Sequence, residues 1–129
     1  MRGFKFEMEY EINASRRMLF PYVSTAAGLA QWFADDVTID DDKIYHFIWE
    51  GDSHRAKLVA QRANNYVKFE FIDDKISGES AYTEIKLEEN ELTQTVFVKI
   101  FDYTDIDDAE EARELWDNLI HNLKEIVGG

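Results

Sequence analysis

The sequence predicts an α+β fold in which a long C-terminal helix lies across the concave face of a curved antiparallel sheet of six or seven strands. Three observations indicate this architecture: an alternating segment opens the chain, turn-separated strands fill residues 37–103, and apolar residues then recur at helical spacing. Two short helical patterns follow the first strand. One domain over residues 1–129 is expected, because a chain of this length buries about two thirds of its unfolded surface.

The composition limits the classes of partner. The chain carries 14 Lys and Arg against 27 Asp and Glu, a net charge of −13. Nucleic acids and anionic lipids are bound through cations, so this balance argues against both. The absence of Cys excludes disulfides, thiolate catalysis and Cys-ligated zinc. No hydrophobic leader and no run of ~18 apolar residues is present, so we expect an acidic cytoplasmic protein without membrane insertion.

The N-terminal segment alternates apolar and charged residues, which predicts a strand with one buried face. Its apolar members are Phe4, Phe6, Met8, Tyr10 and Ile12. Ser15 is suited to cap a short helix through residues 20–23, and Thr25 a second that runs to Trp32. We expect a kink or break at Pro21, which lacks the N–H that a longer helix would use.

Turn residues predict how the following strands pair. Two-residue loops are expected at Gly51-Asp52, Asn64-Asn65 and Glu89-Asn90, with a longer loop over residues 74–78. The opposite pairs predicted are Trp49 with His54, Phe47 with Ala56, Tyr45 with Leu58, Leu58 with Phe71, Ala60 with Phe69, Phe71 with Ala81, Phe69 with Thr83, Val67 with Ile85, Leu87 with Leu92 and Thr83 with Val96.

Residues directly opposite one another in an antiparallel pair share a face of the sheet. The four loops therefore predict one continuous apolar face, which includes Phe47, Trp49, Leu58, Phe69, Phe71, Ile85, Val96 and Val98. The opposite face is predicted to carry charged residues, namely Lys57, Lys68, Glu70, Glu84, Lys86 and Lys99, with Lys68 opposite Glu84.

The last segment, residues 106–127, is predicted to be helical. Its apolar residues recur at spacings of three and four: Ala112, Trp116, Leu119, Ile120, Leu123, Ile126 and Val127. Thr104 or Asp105 is suited to cap it, and Gly128-Gly129 to end it. About 22 residues give a rod of ~33 Å, which matches the width of six or seven strands.

Several motifs carry a resemblance to a known family. They are AS at residues 14–15, GLAQWF at 28–33, FIWEG at 47–51, TQTVFV at 93–98, and Trp116 with Leu119 and Leu123. In this order they resemble the START-like superfamily (helix-grip, polyketide cyclase/START), nearest the bacterial subfamily related to the activator of the heat-shock protein ATPase. The resemblance covers nearly the whole chain. It implies the helix-grip fold, usually a cup around an apolar cavity.

This resemblance implies a binding function. We expect an apolar or amphipathic small molecule, a lipid or a metabolite, to bind between the sheet and the C-terminal helix. The candidate ligand-binding residues are Trp32, Tyr45, Phe47, Trp49, His54, Leu58, Phe69, Phe71, Thr83, Ile85, Val96, Val98, Trp116 and Ile120. Ordinary core packing is the competing interpretation of the three Trp. Specificity would come from the inward polar groups His54, Thr83 and Tyr45.

Metal or cofactor chemistry is not expected. By the predicted register His54 faces inward beside Trp49, whereas His46 lies on the opposite face and His121 falls outside the apolar stripe of the last helix. The three histidines therefore do not converge on a metal. No Gly-x-Ser-x-Gly elbow and no phosphate-binding Gly-rich loop is present, and the predicted interior holds no carboxylate. No catalytic residue is assigned, and enzymatic activity is not expected.

A protein-interaction module related to the heat-shock ATPase activators, without a small ligand, is the alternative function. Such a module would need an exposed apolar patch on the outer face of the sheet. The residues predicted to project there are Ile44, Ile48, Val59, Ile72, Tyr82 and Phe97. A cyclase- or hydrolase-like enzyme is a third class, which an ionisable pair inside the cavity would favour. A monomer or weak dimer is expected, with a possible protein partner.

Overall fold

The computed structural model describes residues 3–76 and 78–128 and has the predicted α+β helix-grip architecture. The elements in chain order are β1 (Phe4–Ile12), α1 (Arg16–Ser24), α2 (Ala26–Leu29), β2 (Asp36–Ile39), β3 (Tyr45–Trp49), β4 (Asp52–Arg62), β5 (Tyr66–Ile76), β6 (Glu79–Glu89), β7 (Val96–Thr104) and α3 (Ala109–Val127). Seven antiparallel strands form one curved sheet in the order β1-β7-β6-β5-β4-β3-β2. Strands β2 to β7 are a meander, and α1 and α2 connect β1 to β2, the two edge strands of the sheet.

The two short helices lie where the sequence predicts them, but of the kink or break predicted at Pro21 the break is wrong. Helix α1 continues through Pro21 to Ser24. The carbonyl of Pro21 accepts both the backbone N–H and the hydroxyl of Thr25, at 3.2 and 2.7 Å, which closes the helix end. The helix also buries Leu19 and Val23, and this packing outweighs the single hydrogen bond that Pro21 cannot donate.

Both predicted caps of these helices are confirmed. The Ser15 hydroxyl accepts the N–H of Met18 at 3.0 Å, and the Thr25 hydroxyl accepts the N–H of Gly28 at 3.0 Å. Helix α2 is shorter than predicted, because it ends at Leu29 and the chain reaches Trp32 through turns.

The long helix begins three residues later than predicted. Its N-cap is Asp108, whose carboxylate accepts the N–H groups of Glu110 and Glu111 at 2.9 and 3.3 Å, so the predicted caps Thr104 and Asp105 are wrong. Gly128 ends the helix as predicted, with a left-handed φ of 84°. The 19 residues span about 28 Å. One face is buried, comprising Ala112, Trp116, Ile120 and Leu123.

The first predicted hairpin loop is wrong by one residue in position. The turn is formed by Glu50 and Gly51, with φ of 51° and 85°, as a two-residue hairpin turn of primed type requires. The observed opposite pairs are Phe47 with His54, Tyr45 with Ala56 and Trp49 with Asp52.

The second hairpin departs from its predicted register in two steps. Its loop has three residues, 63–65, with Asn64 left-handed at φ 62°. A β-bulge between Leu58 and Ala60 interrupts the strand that precedes this loop. A loop with an odd number of residues would by itself move the inward side chains of the strand to the outer face. The bulge adds one residue and restores their inward orientation. The observed pairs are Leu58 with Phe69, Ala56 with Phe71 and Ala60 with Lys68, so both predicted pairs are wrong.

The third hairpin has the predicted register near its centre, and the fourth does not. Phe69 lies opposite Thr83 and Val67 opposite Ile85, as predicted, although the ladder is irregular between Glu70 and Lys75 and does not contain the pair Phe71 with Ala81. The last loop spans six residues, 90–95. It places Leu87 opposite Val98 and Thr83 opposite Asp102, and leaves Leu92 95% exposed, so both pairs predicted there are wrong.

Ala60 lies beyond the bulge, opposite Lys68 instead of Phe69, and is wrong by one residue. The other predicted pairs on the apolar side that remain within the ladder are correct or wrong by an even number of residues, so the predicted faces hold there. The inner face includes Phe47, Phe69, Ile85 and Val98, all without exposed surface. On the outer face Lys68 lies opposite Glu84, as predicted. Among the described residues, no helix combines the length and hydropathy needed to cross a membrane.

Candidate functional site

A cavity of about 1100 Å³ lies at one end of the inner face, between the sheet, the segment after α2 and helix α3. This volume is slightly above the range of about 300–1,000 Å³ that is typical of small-molecule sites. Its described lining residues are Ala30, Gln31, Trp32, Phe33, Ala34, Asp35, Trp49, Glu50, His54, Phe71, Asp73, Asp74, Lys75, Ile76, Ala81, Tyr82, Thr83, Asp102, Tyr103, Thr104, Asp105, Ile106, Leu115, Trp116, Leu119 and Asn122.

An aromatic wall, formed by Trp32, Phe33, Trp49 and Trp116, borders the cavity. The ring of Phe33 is central: its centroid lies 5.3 Å from that of Trp49 and 5.7 Å from that of Trp116. The indole N–H of Trp49 donates to the carbonyl of Phe33 at 2.8 Å, and that of Trp32 to Tyr22 at 2.8 Å. Because these donors are satisfied within the protein, the surface that the rings present to the cavity is apolar. Trp49 is half-buried and presents the most, whereas Trp32, Phe33 and Trp116 are only 4%, 3% and 2% exposed.

The position of the segment after α2 depends on Gly28. A Cβ on Gly28 would lie 2.6 Å from the Cα of Tyr22 and would also overlap the carbonyl of Pro21. Only glycine therefore lets α2 approach α1 this closely. The approach brings Trp32 within hydrogen-bond distance of Tyr22 and so fixes one end of the aromatic wall.

A carboxylate that was not predicted from the sequence lies on the cavity wall. Asp102 accepts the hydroxyl of Thr83 at Oδ1, at 2.7 Å, and the indole N–H of Trp116 at Oδ2, at 3.2 Å. Burial raises the pKa of Asp102, and the two hydrogen bonds oppose that rise only in part. Within residues 3–76 and 78–128, no Lys, Arg or His forms an ion pair with Asp102.

The alternation of β7 contains the signal that would have found Asp102. Val96, Val98 and Ile100 point inward, and Asp102 is the next residue of that set. Because the predicted strands extend to residue 103, this alternation was sufficient to predict an inward carboxylate at residue 102.

The rim of the cavity is predominantly acidic. Its described carboxylates are Asp35, Glu50, Asp73, Asp74 and Asp105, against one lysine, Lys75, and His54. Asp73 is paired with Arg55 through two hydrogen bonds of 3.0 and 2.7 Å, which lower the pKa of the Asp73 carboxyl. His54 lies 3.3 Å from Asp74 and 5.4 Å, between ring centroids, from Trp49.

The cavity brings together part of the predicted ligand-binding set. Six of the fourteen line it: Trp32, Trp49, His54, Phe71, Thr83 and Trp116. The other eight do not: Tyr45, Phe47, Leu58, Phe69, Ile85, Val96, Val98 and Ile120. Helix α1 packs over β5 and β6 and fills the other end of the inner face, so most of these eight lie in closed core. Tyr45 donates its hydroxyl proton to the carbonyl of Ser24 at 2.9 Å, which links β3 to α1.

Each histidine is adjacent to a carboxylate of its own. His46 lies 2.9 Å from Asp40, which lowers the pKa of that carboxyl, and the exposed His121 lies 3.1 Å from Glu125. Among the described residues, no group of three or more His, Cys, Asp or Glu is arranged to hold a metal ion.

The outer face offers little of the apolar patch that the alternative function requires. Of its predicted members, Val59 is 44% exposed. The others are half-buried: Ile44, Ile48, Ile72, Tyr82 and Phe97. The ammonium of Lys68 lies 4.4 Å from the ring centroid of Tyr82 and covers part of it.

Comparisons with known proteins agree with this architecture. A family model described as the START-like superfamily domain matches residues 2–129. The solution structure of BfR322 from Bacteroides fragilis is 38% identical, covers 98% of this chain and 92% of its own, and has a TM-score of 0.66. No curated protein matches the chain in sequence.

Two more distant structures share the fold. The Aha1 dimer from Colwellia psychrerythraea is 18% identical, covers 96% of each chain and has a TM-score of 0.77. MLL2253 from Mesorhizobium loti is 9% identical, covers 97% of each chain and has a TM-score of 0.75.

Proposed function

This chain belongs to the START-like superfamily, and we propose that it binds an apolar or amphipathic small molecule, a lipid or a metabolite, between the sheet and α3. The observation that carries the proposal is the aromatic wall beside a cavity of about 1100 Å³. Burial of apolar ligand surface against these rings would contribute roughly 25 cal/mol per Å².

The proposal assigns ligand contact to the six predicted residues that line the cavity and adds Asp102 and Phe33. His54, Thr83 and Asp102 supply the polar groups of the wall, and polar groups of this kind orient ligands in apolar pockets. The eight predicted residues outside the lining would support the wall from behind. Tyr45 is not available for specificity in this assignment, because its hydroxyl is bonded to Ser24.

Intrinsic fluorescence tests the proposal directly, because all three Trp of the chain line the cavity. Native mass spectrometry of gently purified protein would identify a bound molecule, and re-addition of that molecule to stripped protein should change the Trp emission and raise Tm. The absence of both a co-purified molecule and a fluorescence response to a panel of C10 to C16 amphiphiles would contradict the proposal.

A cavity-filling variant provides the matched control. Ala81 is buried and lines the cavity, so Ala81→Phe should reduce the fluorescence response about tenfold or more by occupying ligand volume. Ala63→Phe makes the same change in an exposed loop and should leave the response unchanged. Circular dichroism checks that both variants fold. Equal responses in the two variants would show that binding occurs elsewhere.

The oligomeric state and location remain part of the proposal. The Aha1 from Colwellia was solved as a dimer. Sedimentation velocity would test the monomer or weak dimer predicted for this chain. A cytoplasmic location, predicted from the sequence, is proposed with it. No observation favours the interaction module over the ligand-binding function, since its outer apolar patch is mostly covered.

A further inference from the structure

We propose that the cavity selects amphiphiles with a cationic, hydrogen-bond-donating head group, an alkylammonium, which pairs with Asp102. The inference rests on the proposed function and names the ligand class for the same site. It predicts the opposite preference from a fatty-acid or anionic-lipid pocket.

The carboxylate of Asp102 has no cation beside it among the described residues. Asp102 is half-buried, and a carboxylate that is largely withdrawn from water is normally paired with a cation, because desolvation of an isolated charge is costly. Asp102 has two neutral donors, Thr83 and Trp116, and no cationic partner among the described residues. An ammonium in the cavity would supply the missing charge.

The acceptor geometry leaves room for that pairing. Each oxygen of Asp102 accepts one hydrogen bond from the protein, at 2.7 and 3.2 Å. A carboxylate oxygen has two lone-pair positions, so each oxygen retains capacity for an N–H of the ligand. Charge-assisted N–H···O bonds of this kind are about twice as strong as neutral ones.

The surroundings of Asp102 favour the same sign of charge. Trp116 donates its indole N–H to Asp102. Its ring packs against those of Trp32 and Phe33, at centroid distances of 6.5 and 5.7 Å. Faces of such rings attract ammonium groups through their quadrupole. The five rim carboxylates add negative potential, whereas Lys75 is the only lysine or arginine in the described lining.

A ligand with a carboxylate head would meet the reverse situation. Its charge would enter a partly buried cavity beside Asp102 and beneath the acidic rim, and like charges in such a site repel one another strongly. The apolar chain of either ligand would contact the aromatic wall equally. The head group therefore decides the preference.

Three C10 probes with the same chain test the inference by titration of Trp fluorescence: decylammonium, decanoate and decanol, below their micelle concentrations and in about 0.15 M NaCl to screen the net charge. Decylammonium should bind about tenfold or more tightly than decanoate, the difference expected of one charge-assisted contact. This comparison uses the unmodified protein and needs no variant.

Asp102→Asn tests the assigned partner. It should weaken decylammonium binding about tenfold and change decanol binding less than about twofold, because only the charge is removed. Asp41→Asn removes the same charge from an exposed turn outside the lining, so it should leave all three affinities unchanged. Thermal melts establish that both variants are folded at the titration temperature.

The outcomes separate the two proposals. Equal affinity for decylammonium and decanoate, or equal effects of the two Asn variants, would overturn the cationic preference while decanol binding keeps the cavity function intact. Failure of all three probes to bind would overturn both. Decylammonium binding that Ala81→Phe does not weaken would show attraction to the acidic surface only and would overturn the inference.

Discussion

At the residue scale, Asp102 makes the stability of the protein depend on pH. Burial raises the pKa of its carboxyl in the folded state above the unfolded value of about 3.9. The folded state therefore binds more protons than the unfolded state between these two pKa values. The contribution of Asp102 to stability falls as pH rises through that interval, by about 1.4 kcal/mol for each unit between them.

Replacing Asp102 with Asn should therefore raise Tm at neutral pH. Asn can accept the indole N–H of Trp116 with its carbonyl and donate to the hydroxyl of Thr83, so the hydrogen bonds are kept while the buried charge is removed. The gain should shrink as pH falls towards about 4, where the carboxyl becomes protonated in both states. Differential scanning calorimetry between about pH 4 and 8 measures this difference.

The exposed Asp41 is the control for this change. Asp41→Asn should give a Tm difference without the same growth towards neutral pH, because no buried carboxyl is removed. A Tm for Asp102→Asn that is lower than that of the unmodified protein at pH 7 would contradict the account. It would mean that the ionised carboxylate stabilises the wall more than its desolvation costs.

The alternation of β7 places Asp102 on the inward face, but its position opposite Thr83 was not predicted, and the reason lies in one loop. The predicted two-residue turn at Glu89-Asn90 pairs Thr83 with Val96, which would place residue 102 six residues away from the position opposite Thr83. The six-residue loop slides β7 by six positions, which brings Asp102 opposite Thr83. Asn90 organises that loop through its side chain, which accepts the N–H of Leu92 at 2.9 Å. Side-chain bonds of this kind permit several loop lengths, so the sequence alone does not select one.

At the element scale, the start of α3 depends on one carboxylate. Asp108 accepts two N–H groups of the first turn, whereas the adjacent Asp107 makes no cap contact. Asp108→Ala should lower the free energy of unfolding by about 1 kcal/mol. Urea denaturation followed by circular dichroism measures it.

Asp107→Ala separates capping from charge. It removes the same charge from nearly the same distance to the positive end of the helix dipole, so a loss caused by the dipole would be similar in both variants. We expect a loss of less than about 0.5 kcal/mol for Asp107→Ala, as for surface substitutions in general. Equal losses would contradict the assignment of Asp108 as the cap.

The sheet shows which features of an element the sequence determines. Side-chain alternation has a period of two, so an error of two or six residues leaves every predicted inward residue inward. Phe47, Phe69 and Val98 are therefore buried, although the partner predicted for Phe47 and one of the two predicted for Phe69 are wrong. The bulge at Leu58/Ala60 could not be anticipated, because it compensates a loop whose length was itself unknown.

At the scale of the whole molecule, the inner face is divided between a closed core and a cavity. Helix α1 packs over β5 and β6, and α3 is joined to β1 by a hydrogen bond of 2.8 Å from Tyr10 to Asp117. The end of the sheet that carries Phe71, Thr83 and Asp102 is left lining the cavity. Periodicity identifies the inward face but does not say which part a helix covers. The sequence therefore predicts the correct face, and only part of the predicted ligand-binding set lines the cavity.

The charge of the whole molecule gives the final prediction. With a net charge of −13, repulsion between surface carboxylates opposes the folded state more than the expanded unfolded chain. Raising NaCl from about 0.01 to 0.3 M shortens the Debye length from about 30 Å to below 10 Å, so Tm should rise. Scanning fluorimetry across this range measures the slope.

A charge variant identifies the cause of that slope. Glu91 and Glu114 are exposed and form none of the ion pairs found among the described residues, so replacing both with Lys removes four of the thirteen net negative charges without breaking a pair. The variant should have a smaller rise in Tm with NaCl, because less repulsion remains to be screened. A Tm that is independent of salt, or an unchanged slope in the variant, would mean that repulsion between surface carboxylates destabilises the folded state little. The acidity would then bear mainly on the cationic ligand that we propose for the cavity.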